Sequence, residues 1–268
     1  MLRELTLGQY YQTESRLHRL DPRVKLFGTI IFLISLFISQ KPSCYVVATV
    51  FLICLIRLSN VPFGYMVRGM KAIVFIMMIT VVFNLLFTPG ETLVKLGVIT
   101  ITIQGLKNAI YTAIRLTYLI LGSTLMTLTT TPNDLTDGLE RGLGFLKIFK
   151  LPVHETATMM SIALRFIPIL LEETDKIMKA QQARGADFES GGIIKRARAM
   201  VPLLVPLFVS AFRRANDLAL AMEARCYNGG EGRTKMKPLV YKAWDKRAYV
   251  ILIGYLVLVV LLGIFSPV

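Results

Sequence analysis

The sequence predicts an all-α integral membrane protein: about five transmembrane helices plus three long cytosolic or interfacial helices, two of them crossing as an X. Three observations lead there. The 268 residues are 54% hydrophobic, with a mean hydropathy of +0.58, too apolar for an ordinary soluble domain. The apolar residues gather into runs close to the length that a hydrocarbon core ~30 Å thick asks of a helix, about 20 residues. A formal net charge of +14 is concentrated between particular runs rather than spread along the chain.

The first element is read from Leu17-His18, Leu20-Asp21-Pro22-Arg23 and Lys25. Asp21 suits a helix cap with Pro22 at the first helical position. Two readings stand side by side: a capped helix with snorkelling cations, or an anchor in which His18, Asp21 and Arg23 tie the N-terminal segment onto the cytosolic helices. Spans are then predicted over 24–39, 44–58, 71–87 and 109–131, with a last one over 248–265. None has the features of a cleaved signal peptide. Between the third and fourth, residues 92–104 alternate apolar and polar with β-branched residues, and Pro89-Gly90 and Gly97 supply turns, which predicts a small β-hairpin. Arg115, inside the fourth span, is either a functional intramembrane charge or a snorkelling one.

Residues 132–247 form the middle of three predicted parts, after a four-helix membrane domain (1–131) and before a C-terminal span (248–268). Pro132-Asn133-Asp134 starts an amphipathic helix over 135–149. A second helix follows over 152–185, with Pro168 expected to kink it and Gly185 to end it. A basic linker leads to a third, from about Val201 or Pro206 to Tyr227. Ala211, Ala215 and Ala219 recur every four residues, a spacing that lets helix backbones approach closely. Crossing there, the two long helices would form an X with both arginine tips at the cytosolic end.

Those tips are the most informative residues in the chain: Ala183-Arg184-Gly185 and Ala224-Arg225-Cys226. The arginines are 41 positions apart (225 − 184) in matching contexts. The plain reading is a pair of cations on helix C-termini. The sharper one is a two-pronged plug for a soluble partner, since the planar guanidinium fork pairs bidentately with a carboxylate.

Charge sets orientation. Residues 1–25 carry five Lys/Arg, 57–71 three and 132–247 nineteen, and Lys/Arg excess marks the cytoplasmic side. The expectation is a multi-pass protein of the cell membrane with its N-terminus inside and C-terminus outside. Cations beside apolar runs suit anionic lipid head groups better than nucleic acid, so no nucleic-acid partner is expected. Chemistry is scarce: Cys44, Cys54 and Cys226 lack metal-ligand spacing, His18 and His154 stand far apart, and no P-loop occurs. Neither a metal nor a cofactor is expected on this chain. A secondary transporter would draw on Asn84, Arg115 and 127–131; a lipid-modifying enzyme would draw on Glu172, Glu173 and Asp175, which read as a solvated helix face.

Taken together, 17–25, Leu164-Arg165-Phe166-Ile167-Pro168, 180–185 and 221–227 resemble the transmembrane coupling (T) component of energy-coupling factor transporters, a branch of the ATP-binding cassette machines. The resemblance covers nearly the whole chain. It implies two cytosolic ATPase subunits, which bind the ATP and magnesium and each receive one arginine-tipped helix. A separate small membrane subunit would bind a vitamin or metal. The coupling arginines would be Arg184 and Arg225, with Ala183, Gly185 and Ala224 shaping the tips. Cys226 departs from the family's usual glycine. A left-handed conformation costs a non-glycine residue roughly 1–2 kcal/mol, so the helix is expected to run on to 228–230.

Overall fold

A computed structural model describes residues 10–38, 41–96, 99–144, 148, 152–188, 192–229 and 238–265. It is helical apart from one hairpin. The order is α1 (Pro22–Ile38), α2 (Pro42–Ser59), α3 (Phe63–Phe87), β1 (Thr92–Leu96), β2 (Ile99–Thr102), α4 (Ile103–Thr129), α5 (Pro132–Gly142), α6 (Val153–Ala183), α7 (Ile193–Glu223) and α8 (Ala243–Phe265). The chain divides into two compact units: Gly8–Leu139 with Leu239–Val268, and a second built on Glu140–Pro238. The first and last predicted parts thus belong to one unit, and the boundary falls within α5.

In the first unit, α1, α2, α4 and α8 close around Phe32, Leu36, Ala48, Leu52, Leu121, Leu125, Tyr255 and Val259. Tyr255 is the cross-link: its ring stacks on Phe51 at 4.3 Å and its hydroxyl shares a 2.8 Å hydrogen bond with Ser35. Burying the tyrosine ring demands such a partner for its polar end. Small residues permit the close approaches, as Gly28 faces Leu252 and Gly122 faces the Phe32 ring. The outward faces remain apolar, with Phe37, Val46, Val50, Phe75, Phe83 and Val250 all exposed. Such surface suits lipid rather than water.

Among the described residues three helices, α2, α4 and α8, are long and apolar enough to cross a membrane; Ile73–Phe87 of α3 is a shorter apolar stretch, and α1 has 17 residues. The predicted hairpin forms, antiparallel with an irregularity between Thr92 and Val94. Thr102 ends it and caps α4: its hydroxyl accepts from the Gly105 N–H (3.0 Å) and donates to the Thr88 carbonyl (2.8 Å). That cap starts α4 at Ile103, before the predicted 109. In the same unit Arg115 is half-buried, its Nε donating to the Tyr45 hydroxyl (3.2 Å) and its guanidinium over the Phe37 ring at 5.3 Å.

Three boundaries in 132–247 differ from expectation. Helix α5 ends at Gly142 rather than 149, and 145–147 and 149–150 lie outside the described residues. Helix α7 begins at Ile193, so Pro202 and Pro206 lie inside it. A proline near a helix start forfeits only a bond that the first turn lacks anyway; Pro202 and Pro206 sit deeper, where neighbouring turns carry the helix past the missing donors. The third boundary is the end of α7.

Candidate functional site

Helices α6 and α7 are each 31 residues long and make up most of the second unit. They pack antiparallel. Gln181, near the end of α6, donates from Nε2 to the Pro202 carbonyl at 3.5 Å; midway, Arg214 donates to Glu173 at 3.0 Å. Near the start of α6, Thr158 and Ile162 share a groove with Leu218, Met222, Arg225 and Tyr227. The two arginine tips therefore lie at opposite ends of the pair, not gathered at one end of a crossing. The stretch from Thr158 to Gln181 spans on the order of 35 Å at 1.5 Å per residue.

Both tips are the same terminator. At the end of α6, Gly185 N–H bonds to Gln182 O (2.9 Å) and Ala186 N–H to Gln181 O (3.0 Å); Gly185 has φ of +89°. At the end of α7, Cys226 N–H bonds to Glu223 O (2.8 Å) and Tyr227 N–H to Met222 O (3.0 Å); Cys226 has φ of +55°. These are two Schellman motifs, in which a left-handed residue lets the chain fold back onto orphan carbonyls. The expectation that α7 would run past Cys226 is thus corrected. The two fold-back hydrogen bonds and the turn they close are formed at Cys226 despite the β-carbon, so the steric cost is outweighed locally.

This terminator fixes where the arginines sit. Arg184 and Arg225 each occupy the last half-helical position, with N–H groups bonded 3.1 Å from Gln181 O and Met222 O, and both side chains are exposed. Ala183 and Ala224 precede them, also exposed, and leave the approach to each guanidinium clear of bulk. A cation there faces the negative end of the helix dipole. Arg225 additionally borders the groove on α6, whose floor is apolar.

The predicted alanine contact falls elsewhere. Arg214, Leu218 and Met222 mark the face of α7 that meets α6; Ala211 shares it and is half-buried, whereas Ala215 and Ala219 lie at its edge and are exposed. Steps of 100° per residue carry 215 and 219 progressively off that face. Glu173, read from the sequence as solvated, is half-buried in the ion pair with Arg214. At the start of α6, His154 Nδ1 sits 2.8 Å from Glu140 Oε1.

The N-terminal residues build a polar knot whose partners lie in the membrane unit. His18 accepts or donates at both ring nitrogens, 2.6 Å from Ser15 Oγ and 3.1 Å from Tyr11 O. Asp21, 7% exposed, caps α1 by accepting from the Arg23 N–H (2.9 Å) and takes the Arg23 guanidinium on both oxygens, at 3.0 and 2.8 Å. Arg23 in turn lies 3.7 Å from the centre of the Tyr241 ring. Asp245, 2% exposed at the start of α8, accepts from the N–H groups of Asp21 (2.9 Å) and Lys242 (2.7 Å). Lys25 donates to His18 O (3.0 Å) and to Thr129 O at the end of α4 (2.8 Å). The knot joins the entrances of α1 and α8 to the end of α4; the long helices belong to the other unit. Sequence reasoning read Lys25 as a snorkelling cation and missed Asp245, since a lysine beside an apolar run looks lipid-facing and an acid 224 residues away carries no local signal. Among the described residues no cluster of His, Cys, Asp and Glu fits a metal ion.

A family model described as "cobalt transport protein" matches residues 13–236. The chain is 50% identical over 249 residues to the energy-coupling factor transporter transmembrane protein EcfT of Thermosediminibacter oceani, covering 93% of this chain and 94% of the relative. It is 47% identical over 262 residues to the protein of that name in Acidaminococcus fermentans (98% of both chains), and 48% over 254 residues to that of Bacillus subtilis (94% and 96%). With matches of this extent over a helical, membrane-suited fold, the chain belongs to the family of transmembrane components of energy-coupling factor transporters.

Proposed function

We propose that this chain is the coupling subunit through which two cytosolic ATPases drive a small substrate-binding membrane subunit during uptake of a vitamin or similar micronutrient. One observation carries the reading: two long helices end in the same terminator, with an exposed arginine at the same position of each. Helix-end charge alone needs no such duplication. Each tip enters a groove on one ATPase, where its guanidinium pairs with a carboxylate; Ala183, Gly185, Ala224 and Cys226 let the tip seat closely. ATP and magnesium stay on those partners, and the chain itself carries no catalytic group. The apolar side of α7, with Val201, Leu204, Val205, Phe208 and Phe212 exposed, suits the membrane subunit or lipid. Five spans, an inner N-terminus and an outer C-terminus complete the reading, supported by the Lys/Arg distribution.

The test replaces both arginines by alanine in the co-expressed complex. Truncating one partner of a buried, hydrogen-bonded charge pair costs roughly 2–5 kcal/mol, because the other charge stays buried without compensation. Each single variant should weaken uptake strongly, and Arg184→Ala/Arg225→Ala should lose ATPase co-purification. Lysine should restore little, lacking the bidentate fork. Wild-type co-purification and uptake in the double variant would reduce both arginines to helix-end charges.

A further inference from the structure

The spacing of 41 that relates the two tips also relates residues far from them. Glu173 and Arg214 differ by 41 (214 − 173), and these two equivalents are in direct contact, Arg214 donating to Glu173 at 3.0 Å. Gln181 meets Pro202; subtracting 41 from Pro202 and adding it to Gln181 gives Ser161 and Met222. Met222 indeed shares its groove with Ile162, the neighbour of Ser161. Contacts that map onto one another under such an exchange describe an antiparallel pair with an approximate two-fold axis. A residue that touches its own equivalent lies beside that axis. The ion pair therefore sits at the midpoint, 11 residues (184 − 173 and 225 − 214) before each tip, which places the tips on the order of 30 Å apart.

The chemistry at the midpoint is the opposite of what symmetry would supply. A strict two-fold brings a side chain beside the axis against its own copy, and like charges repel there. Here Glu172-Glu173 on α6 stands where α7 has Arg213-Arg214, so the repeat is charge-inverted at its centre while the tips keep the same charge. Elsewhere few side chains of the pair are fully buried: among those described, Ala157 on α6 and Leu203 on α7. Side-chain exposures of 38% for Arg214 and 24% for Glu173 leave the ion pair partly shielded, and Arg214 Nε is buried without a partner. Exposed ion pairs add little stability, but a pair on the axis opposes any sliding or splaying of one helix on the other.

We propose that Glu173 and Arg214 form the pivot of the helix pair, positioning residues that set the spacing of the two arginine tips. This deepens the coupling reading, because two partner surfaces can be engaged together only at a defined separation. A distance measurement on the full chain alone keeps it separate from that reading, since no partner is needed.

Spin labels go on Gln182→Cys and Glu223→Cys, equivalent exposed positions, in a chain with Cys54 and Cys226 replaced by serine and held in lipid nanodiscs. The unperturbed chain should give one narrow distance maximum. Glu173→Arg and Arg214→Glu should each broaden or shift it, and Glu173→Arg/Arg214→Glu, which restores opposite charges, should return the narrow maximum. In the complete complex the single reversals should lose substrate uptake per ATP hydrolysed, and the double reversal should recover it. Unchanged distances in both single reversals would overturn the pivot. Should those singles fail to fold, the double reversal decides: a broad distribution from it also overturns the proposal. Loss of partner binding by Arg184→Ala/Arg225→Ala bears on the tips and leaves the distance result unaffected.

Discussion

The membrane unit and the helix-pair unit use similar helices to opposite ends. In the first, α1 buries Pro22, Val24, Leu26, Gly28, Phe32, Ser35 and Leu36 of its 17 residues. In the second, α6 is 31 residues long and buries Ala157, while α7 leaves Met200, Val201, Leu204, Phe208 and Phe212 exposed. A dense core resists opening; a pair held by few contacts remains adjustable. The membrane unit fixes where its helices stand, and the helix pair is specified at its ends and midpoint and left open along its length. That is the division of labour a coupling subunit needs.

Perturbations of the polar knot should separate the two units most sharply. In Asp245→Ala, the buried N–H of Asp21 and the partly buried N–H of Lys242 lose their acceptor, and an orphaned buried group costs about 1–3 kcal/mol. The expected outcome is faster thiol labelling of Cys44, a buried member of the membrane core. The spacing of the helix-pair tips should not change. Asp245→Asn, which keeps one acceptor oxygen, should have a smaller effect.

Overpacking should come next. A β-carbon on Gly122 would lie 2.8 Å from the Phe32 ring, so Gly122→Val should cost typically 1–3 kcal/mol. Ala215→Leu in α7 should cost little, within about 0.5 kcal/mol, because the position is exposed. Equal destabilisation of both, measured by thermal unfolding in detergent, would erase the contrast between the units. At the tips the effects should be smaller and opposite in sign. Gly185→Ala forces a β-carbon into φ of +89° and Cys226→Gly removes one from +55°, each a change of about 1 kcal/mol. Amide exchange at Ala186 and Tyr227 should quicken in the first and slow in the second.

The smallest effect concerns pH. Burial, and then the neighbouring Lys25 charge, lower the pKa of His18 below its ordinary 6.5. The folded chain thus resists a proton that the unfolded chain accepts. Above the ordinary value both states are neutral and the anchor is at full strength. As pH falls through 6.5 toward the lower folded value, the unfolded state gains and the anchor weakens. Labelling of Cys44 should accelerate across that window, and His18→Gln should flatten the dependence while leaving the helix pair indifferent.

How much of this was legible along the chain depended on range. The cap at Asp21-Pro22, the hairpin near 92–104 and the stop at Gly185 follow from residues within a few positions, and all three are formed. The arginine tips were legible because a local pattern occurs twice. The α7 start at Ile193 was not: Pro202 and Pro206 argue locally against a helix that the rest of the segment sustains.

By itself the sequence determined the helical class, the apolar faces and the two arginine motifs, because each depends on short-range periodicity, capping or repetition. Only the tertiary structure decided which ends lie together. The antiparallel packing of α6 and α7, the Glu173–Arg214 contact and the capture of Asp21 by Asp245 all depend on chain pairing over distance. A helix carries its hydrogen bonds within itself, so its existence is written locally. Its partner is chosen by the few side chains that meet across the gap, and no neighbour in the sequence records which they will be.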